Sequence, residues 1–258
     1  MEIGILIVGI LAGIMSGLFG IGGGIVMVPT LIAIFGMNML DANATSLAAM
    51  LLPVGVFGVI NYYKAGYINI KDSLWIALGL FGGSFFGAEL AVSLDVNLLA
   101  KLYAAYLLWI AVGYFDIPSY FSRNRNKPQS ADNHAKTQRT IWQFIFVGVL
   151  AGVIAGMFGK GGGLVIVPIL IKFFDYDPKA ASATSLAALQ LPVGLPSVIV
   201  YAEDGHLNFL YAGLMACGIL VGVFFGSKLA LNLSSAIFKK VYAVFLLGVA
   251  VYMVVKYI

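Results

Sequence analysis

The chain has 258 residues, of which 61% are hydrophobic and 10% charged, with a formal net charge of +4. A soluble domain carries about 25% charged residues, so a water-facing globule is excluded and the chain reads as an integral membrane protein. Its single cysteine, Cys217, excludes an internal disulfide and a multi-cysteine metal site.

Taken in order, the chain offers apolar stretches at 3–19, 25–40, 43–63, 73–94 and 97–117, then at 141–158, 164–174, 180–202, 207–231 and 236–257. The first lacks a positive leader segment and runs on into apolar sequence, so it reads as a retained span. A helix needs about 20 apolar residues to cross the hydrocarbon core. By that measure the last three stretches of each set qualify as crossings. The first two are short and meet at a glycine cluster, as two tight spans or as a re-entrant hairpin.

The second set repeats the first. Residues 11–113 laid on 150–252, a shift of 139, are identical at 47 of 103 positions without a gap. Repeat 1 is therefore placed at 1–117 and repeat 2 at 140–258, joined by a basic connector at 118–139. Each repeat holds an odd number of crossings, three or five, so two like halves in sequence would face opposite ways. The fold expected is all-α and polytopic, with two inverted repeats, each with a glycine-broken first hairpin.

Charge placement agrees with inversion. The connector carries Arg123, Arg125, Lys127, Lys136 and Arg139 and belongs in the cytoplasm by the positive-inside rule. Inverted halves put Lys64, Lys71, Lys172, Lys179, Lys239 and Lys240 on the same side. Equivalent loops also exchange charge: Lys64 and Lys71 match Glu203 and Leu210, whereas Ala33 and Leu40 match Lys172 and Lys179. Lys101 and Lys240 are equivalent and both basic, an exception to this exchange.

Two elements recur in both halves and could carry chemistry. The first is the glycine cluster, Gly20-Ile21-Gly22-Gly23-Gly24 and Gly159-Lys160-Gly161-Gly162-Gly163. Broken backbone at membrane depth is tolerated where protein or a water-filled cavity surrounds it. Free N–H groups opening the next helix form a partial positive site suited to an anion, and Lys160 adds a charge at the second turn. The plain structural alternative is a tight packed turn. The second element is Ala44-Thr45-Ser46-Leu47 and Ala183-Thr184-Ser185-Leu186, whose hydroxyls are read as opening helices with a proline further on, Pro53 and Pro192. Proline within a helix frees the carbonyl four residues earlier, here Ala49 and Ala188. The alternative is close helix packing with the hydroxyls bonded to their own backbone.

Gln190, opposite Leu51, would make such a site asymmetric. The candidate substrate-binding residues are therefore Gly22, Gly23, Gly24, Thr45, Ser46, Lys160, Gly161, Gly162, Gly163, Thr184, Ser185 and Gln190. Glu89 and Lys228 are equivalent charges near helix ends, where long side chains snorkel to water. His134 and His206 fall in loops and receive no role.

On Gly20-x-Gly22-Gly23-Gly24 followed by Pro29, on Ala44-Thr45-Ser46-Leu47, and on their repeats, the chain resembles the sulfite exporter TauE/SafE family of the wider TSUP group. The resemblance extends over both halves. It implies transport of sulfur-containing anions such as sulfite, sulfoacetate or other organosulfonates, often outward. Residue pattern alone supports an anion-suited site in an inverted-repeat transporter, with a selective anion channel as the alternative. An enzyme is not expected, since catalysis would need a nucleophile and base within reach. The expected partners are a small anion and the lipid bilayer of the plasma membrane (the inner membrane in a bacterium), with a homodimer left open. No nucleic acid, metal or cofactor is expected.

Overall fold

The computed structural model describes residues 2–19, 22–53, 55–106, 140–159, 162–232, 248 and 251. Among the described residues the regular structure is all helical. Repeat 1 contains α1 (Glu2–Phe19), α2 (Gly24–Phe35), α3 (Met39–Ala49), α4 (Val56–Lys64), α5 (Ile70–Ser93) and α6 (96–106). Repeat 2 contains α7 (Ile141–Phe158), α8 (Gly163–Phe173), α9 (Pro178–Ala188), α10 (Leu195–Glu203) and α11 (Phe209–Asn232). Adding 139 to the bounds of α1, α3, α4 and α5 gives those of α7, α9, α10 and α11. The sequence repeat is thus a repeat of elements. The connector 118–139, with its basic residues and His134, lies outside the described residues.

Local chemistry starts and stops these helices. Asn38 accepts from the Asp41 amide at 2.7 Å and so caps α3, and Asp177 accepts from the Lys179 amide at 2.9 Å and caps α9, where Pro178 fits the first turn. Asn69 and Asn208 cap α5 and α11 in the same way. Gly23 and Gly162 precede α2 and α8 with φ of 74° and 69°, a left-handed backbone that favours glycine.

The 43–63 and 180–202 stretches are not the continuous crossings expected of them. Each is split into two short helices, α3 and α4 or α9 and α10, by an unwound segment at 50–55 or 189–194. Pro53 and Pro192 therefore sit in a break rather than kinking an intact helix. Thr45-Ser46 and Thr184-Ser185 lie midway along α3 and α9, not at their starts. Helix length also falls differently from expectation. α1 and α7, at 18 residues, and α5 and α11, at 24, are long and apolar enough to cross a membrane. α2 and α8 are short.

Two helix pairs form the frame, α1 with α11 and α5 with α7, each joining one repeat to the other. Gly9, Gly13 and Gly17 meet the backbone around Gly218, Gly222 and Gly226 in rising order, so α1 and α11 run parallel. Gly79, Gly83 and Gly87 meet α7 in the same way. A Cβ added at Gly87 would lie 2.1 Å from the Val153 carbonyl oxygen. In lipid no hydrophobic force drives helices together, so contact depends on packing, and small residues at four-residue spacing allow backbones to touch. The broken helices lie between these two pairs.

Candidate functional site

The two breaks meet each other across the repeats. A Cβ on Gly55, in the first break, would lie 2.3 Å from Nε2 of Gln190, in the second. Beside them is a cavity of about 20 Å³, lined by Leu47, Met50, Leu80, Ser84, Ala155, Leu189, Val193 and Gly194. That is room for about one water. Its lining comes from α3, α5, α7 and both breaks, so both repeats contribute.

The described glycines of the two turns, Gly22, Gly23, Gly24, Gly162 and Gly163, are buried. The Ala12 carbonyl oxygen of α1 lies 3.0 Å from a Cβ position at Gly23. A Cβ at Gly162 would meet Ala151 and the cavity-lining Leu80. Lys160 and Gly161, like Gly20 and Ile21, lie outside the described residues.

The hydroxyl helices reach across the repeats. Ser46, fully buried on α3, donates to the Gly159 carbonyl at 2.7 Å. Asn43, one turn earlier, donates through Nδ2 to the Met157 carbonyl at 2.9 Å. Repeat 1 therefore holds the last residues of α7 and the entry to the second glycine turn. Thr184 on α9 accepts from the Asn69 amide at 3.4 Å, and its carbonyl accepts from Ser73 at 3.0 Å. Ser185 is buried beside it. Thr45 is fully buried, and among the described residues neither its hydroxyl nor Oε1 of Gln190 has a hydrogen-bond partner. Gln190 donates through Nε2 to the Leu186 carbonyl one turn back.

The structure thus gathers Ser46, Gln190 and the second glycine turn around the two breaks. Thr184 instead ties α9 to the start of α5. Glu89 and Lys228 are exposed near the ends of α5 and α11, and Lys228 lies 4.2 Å over the Phe224 ring, as snorkelling side chains would.

Sequence reasoning missed four contributing residues. Ser84 lines the cavity and donates to the Val193 carbonyl at 2.8 Å, satisfying a carbonyl of the unwound segment. Its equivalent is Val223, so the repeat gave no signal. Asn43 was hidden in the same way, by Ser182. Tyr62 and Tyr201 are equivalent and were legible, as tyrosines kept in both copies beside the motif; each reaches the last turn of its own repeat's first helix.

Comparison with known proteins identifies the family. The family model described as "Sulfite exporter TauE/SafE" matches residues 5–253. A probable membrane transporter protein of Methanocaldococcus jannaschii is 30% identical over 92% of this chain and 87% of its own length. Two probable membrane transporter proteins of Bacillus subtilis are 25% and 26% identical, covering 87% and 94% of this chain and 85% and 95% of their own lengths. No solved structure matches the chain.

Proposed function

Because the chain belongs to the sulfite exporter TauE/SafE family, we propose that it is a secondary transporter that moves a sulfur-containing anion outward across the plasma membrane. The substrate class is sulfite, sulfoacetate or another organosulfonate. The observation that carries the reading is the meeting of two broken helices, one per repeat, beside a buried glycine turn. Broken helices at the interface of repeats are where transporters place their sites.

The same reading makes the repeats inverted, and several contacts support it. Asn69 and Ser73, at the start of α5, bond Thr184 of α9. Lys179, in the first turn of α9, donates to the Leu231 carbonyl at the end of α11 at 3.1 Å. The end of α11 lies beside the end of α1. The start of α5 and the end of α1 are therefore on one side, and α5 runs back against α1. Since α7 is parallel to α5, it runs opposite to its equivalent, α1. Lys64, Lys71 and Lys179 then fall on the side of the basic connector, the cytoplasm by the positive-inside rule.

The site suits an anion. The N-termini of α2 and α8 open at buried glycines, where free N–H groups carry partial positive charge, and Lys160 precedes the second by three residues in sequence. The partnerless Thr45 hydroxyl is a further donor within the core.

Counterflow in proteoliposomes tests this. Vesicles preloaded with sulfite or sulfoacetate should accelerate uptake of the labelled anion, with sulfate and taurine as competitors. Saturable uptake with trans-stimulation is expected. Unsaturable flux without trans-stimulation would make it a channel, and no flux of any sulfur anion would remove the substrate class.

A further inference from the structure

Away from the centre, one contact ties the repeats together at the end where α11 begins. His206, in the α10–α11 loop, places Nδ1 2.6 Å from Asp41 Oδ1 on α3 and Nε2 3.1 Å from Asp204 Oδ2 in its own loop. Asp41 is held in turn by Asn38, whose Nδ2 donates to Oδ2 at 2.7 Å. The imidazole is thus clasped between carboxylates of repeat 1 and repeat 2.

The proton count follows from the geometry. A neutral imidazole has one N–H and can donate to one carboxylate only, leaving a lone pair facing the other. Both contacts become hydrogen bonds only when one further proton is bound, on the ring or on a carboxyl. Histidine is the side chain whose ordinary titration falls between about pH 5 and 8.

The surrounding charges add no competing cation. Among the described residues no lysine or arginine forms an ion pair with Asp41 or Asp204. Asp41 is the charged residue of α3, and exposed Glu203 ends α10, adding a further carboxylate to the loop. The charged residue of α11, Lys228, sits near its far end, and α2 carries none.

The equivalent contact at the opposite end has different chemistry. Tyr67 occupies the position of His206, and Lys179, beside the equivalent of Asp41, places Nζ 5.9 Å from the centre of its ring. The carboxylate–imidazole contact at one end is thus replaced by a lysine over a tyrosine ring at the other.

We propose that His206, Asp41 and Asp204 form a proton-binding latch that closes one face of the transporter when protonated and releases it when the proton leaves. On the orientation argued above, on which this point alone rests, that face is extracytoplasmic, so external acid holds the outer gate shut.

The test is a distance measurement on the full chain in nanodiscs, without substrate. Spin labels replace the exposed residues Ile34 and Phe209, at this end of α2 and α11, in a Cys217→Ser background. Their separation should increase as pH rises through the histidine range, and His206→Gln should abolish that pH dependence. Asp41→Asn, which leaves the Asn38 cap in place, should do the same. A separation that ignores pH in the parent, or a pH response that survives both substitutions, overturns the latch. Counterflow does not enter this measurement, so failure of the latch and failure of the transport reading are separate results.

Discussion

The Tyr62 hydroxyl, fully buried on α4, donates to the Gly17 carbonyl at 3.0 Å, and Tyr201 on α10 donates to the equivalent Gly156 carbonyl at 2.8 Å. Both carbonyls belong to the last turn of a helix, α1 or α7, where no intrahelical N–H follows to donate to them. The tyrosines thus finish the helix ends from which the glycine turns depart. They fix the far half of each broken helix to the turn of the same repeat.

Tyr62→Phe removes the donor and keeps the ring. The buried carbonyl then loses its partner, at a cost of about 1–3 kcal/mol. The expected result is a lower thermal unfolding temperature in detergent and weaker transport, with Tyr201→Phe behaving alike. An unchanged melting temperature in both variants would mean that water satisfies these carbonyls equally well.

The glycine seams make a sharper contrast. Gly87 and Gly82 lie on the same helix, but a Cβ at Gly87 meets the Val153 oxygen at 2.1 Å while one at Gly82 meets nothing within 4 Å. Gly87→Ala should force α5 from α7 and sharply reduce folded protein. Gly82→Ala should be neutral or stabilising by up to about 1 kcal/mol, the ordinary helix preference for alanine. Equal behaviour of the two would remove the close α5–α7 contact.

Thr45 separates structural from functional use of a hydroxyl. It is wholly buried and its Oγ1 has no hydrogen-bond partner among the described residues. Thr45→Val keeps the shape and removes an unsatisfied polar group, whose burial costs about 1–3 kcal/mol. Stability should hold or rise while anion affinity falls. If counterflow kinetics are unchanged, Thr45 does not face the substrate.

Much of this frame was legible because the chain is written twice. The gapless shift of 139 residues placed equivalent helices in advance, and Ser46 stood out because Ser185 repeats it. The breaks were harder to see. Residues 43–63 are mostly apolar and carry no charge, and one proline in such a run reads as a kink. In the fold, Pro53 lacks an N–H and Gly55 adds backbone freedom two residues later, and together they unwind the segment. Ser84, Asn43 and His206 were invisible for another reason: their equivalents are Val223, Ser182 and Tyr67, so no repetition marks them. Their importance arises from contacts between the repeats, which spacing along the chain does not record.

The central claim is one site held between two oppositely oriented repeats. Single cysteines at the equivalent exposed positions Tyr63 and Ala202, in the last turns of α4 and α10, test it in a Cys217→Ser background. A membrane-impermeant maleimide applied to sealed, right-side-out cells should label the Ala202 position and spare Tyr63, and inverted vesicles should reverse the pattern. Labelling of both positions from the same face would contradict the inverted architecture and, with it, a shared site at the meeting of the two breaks.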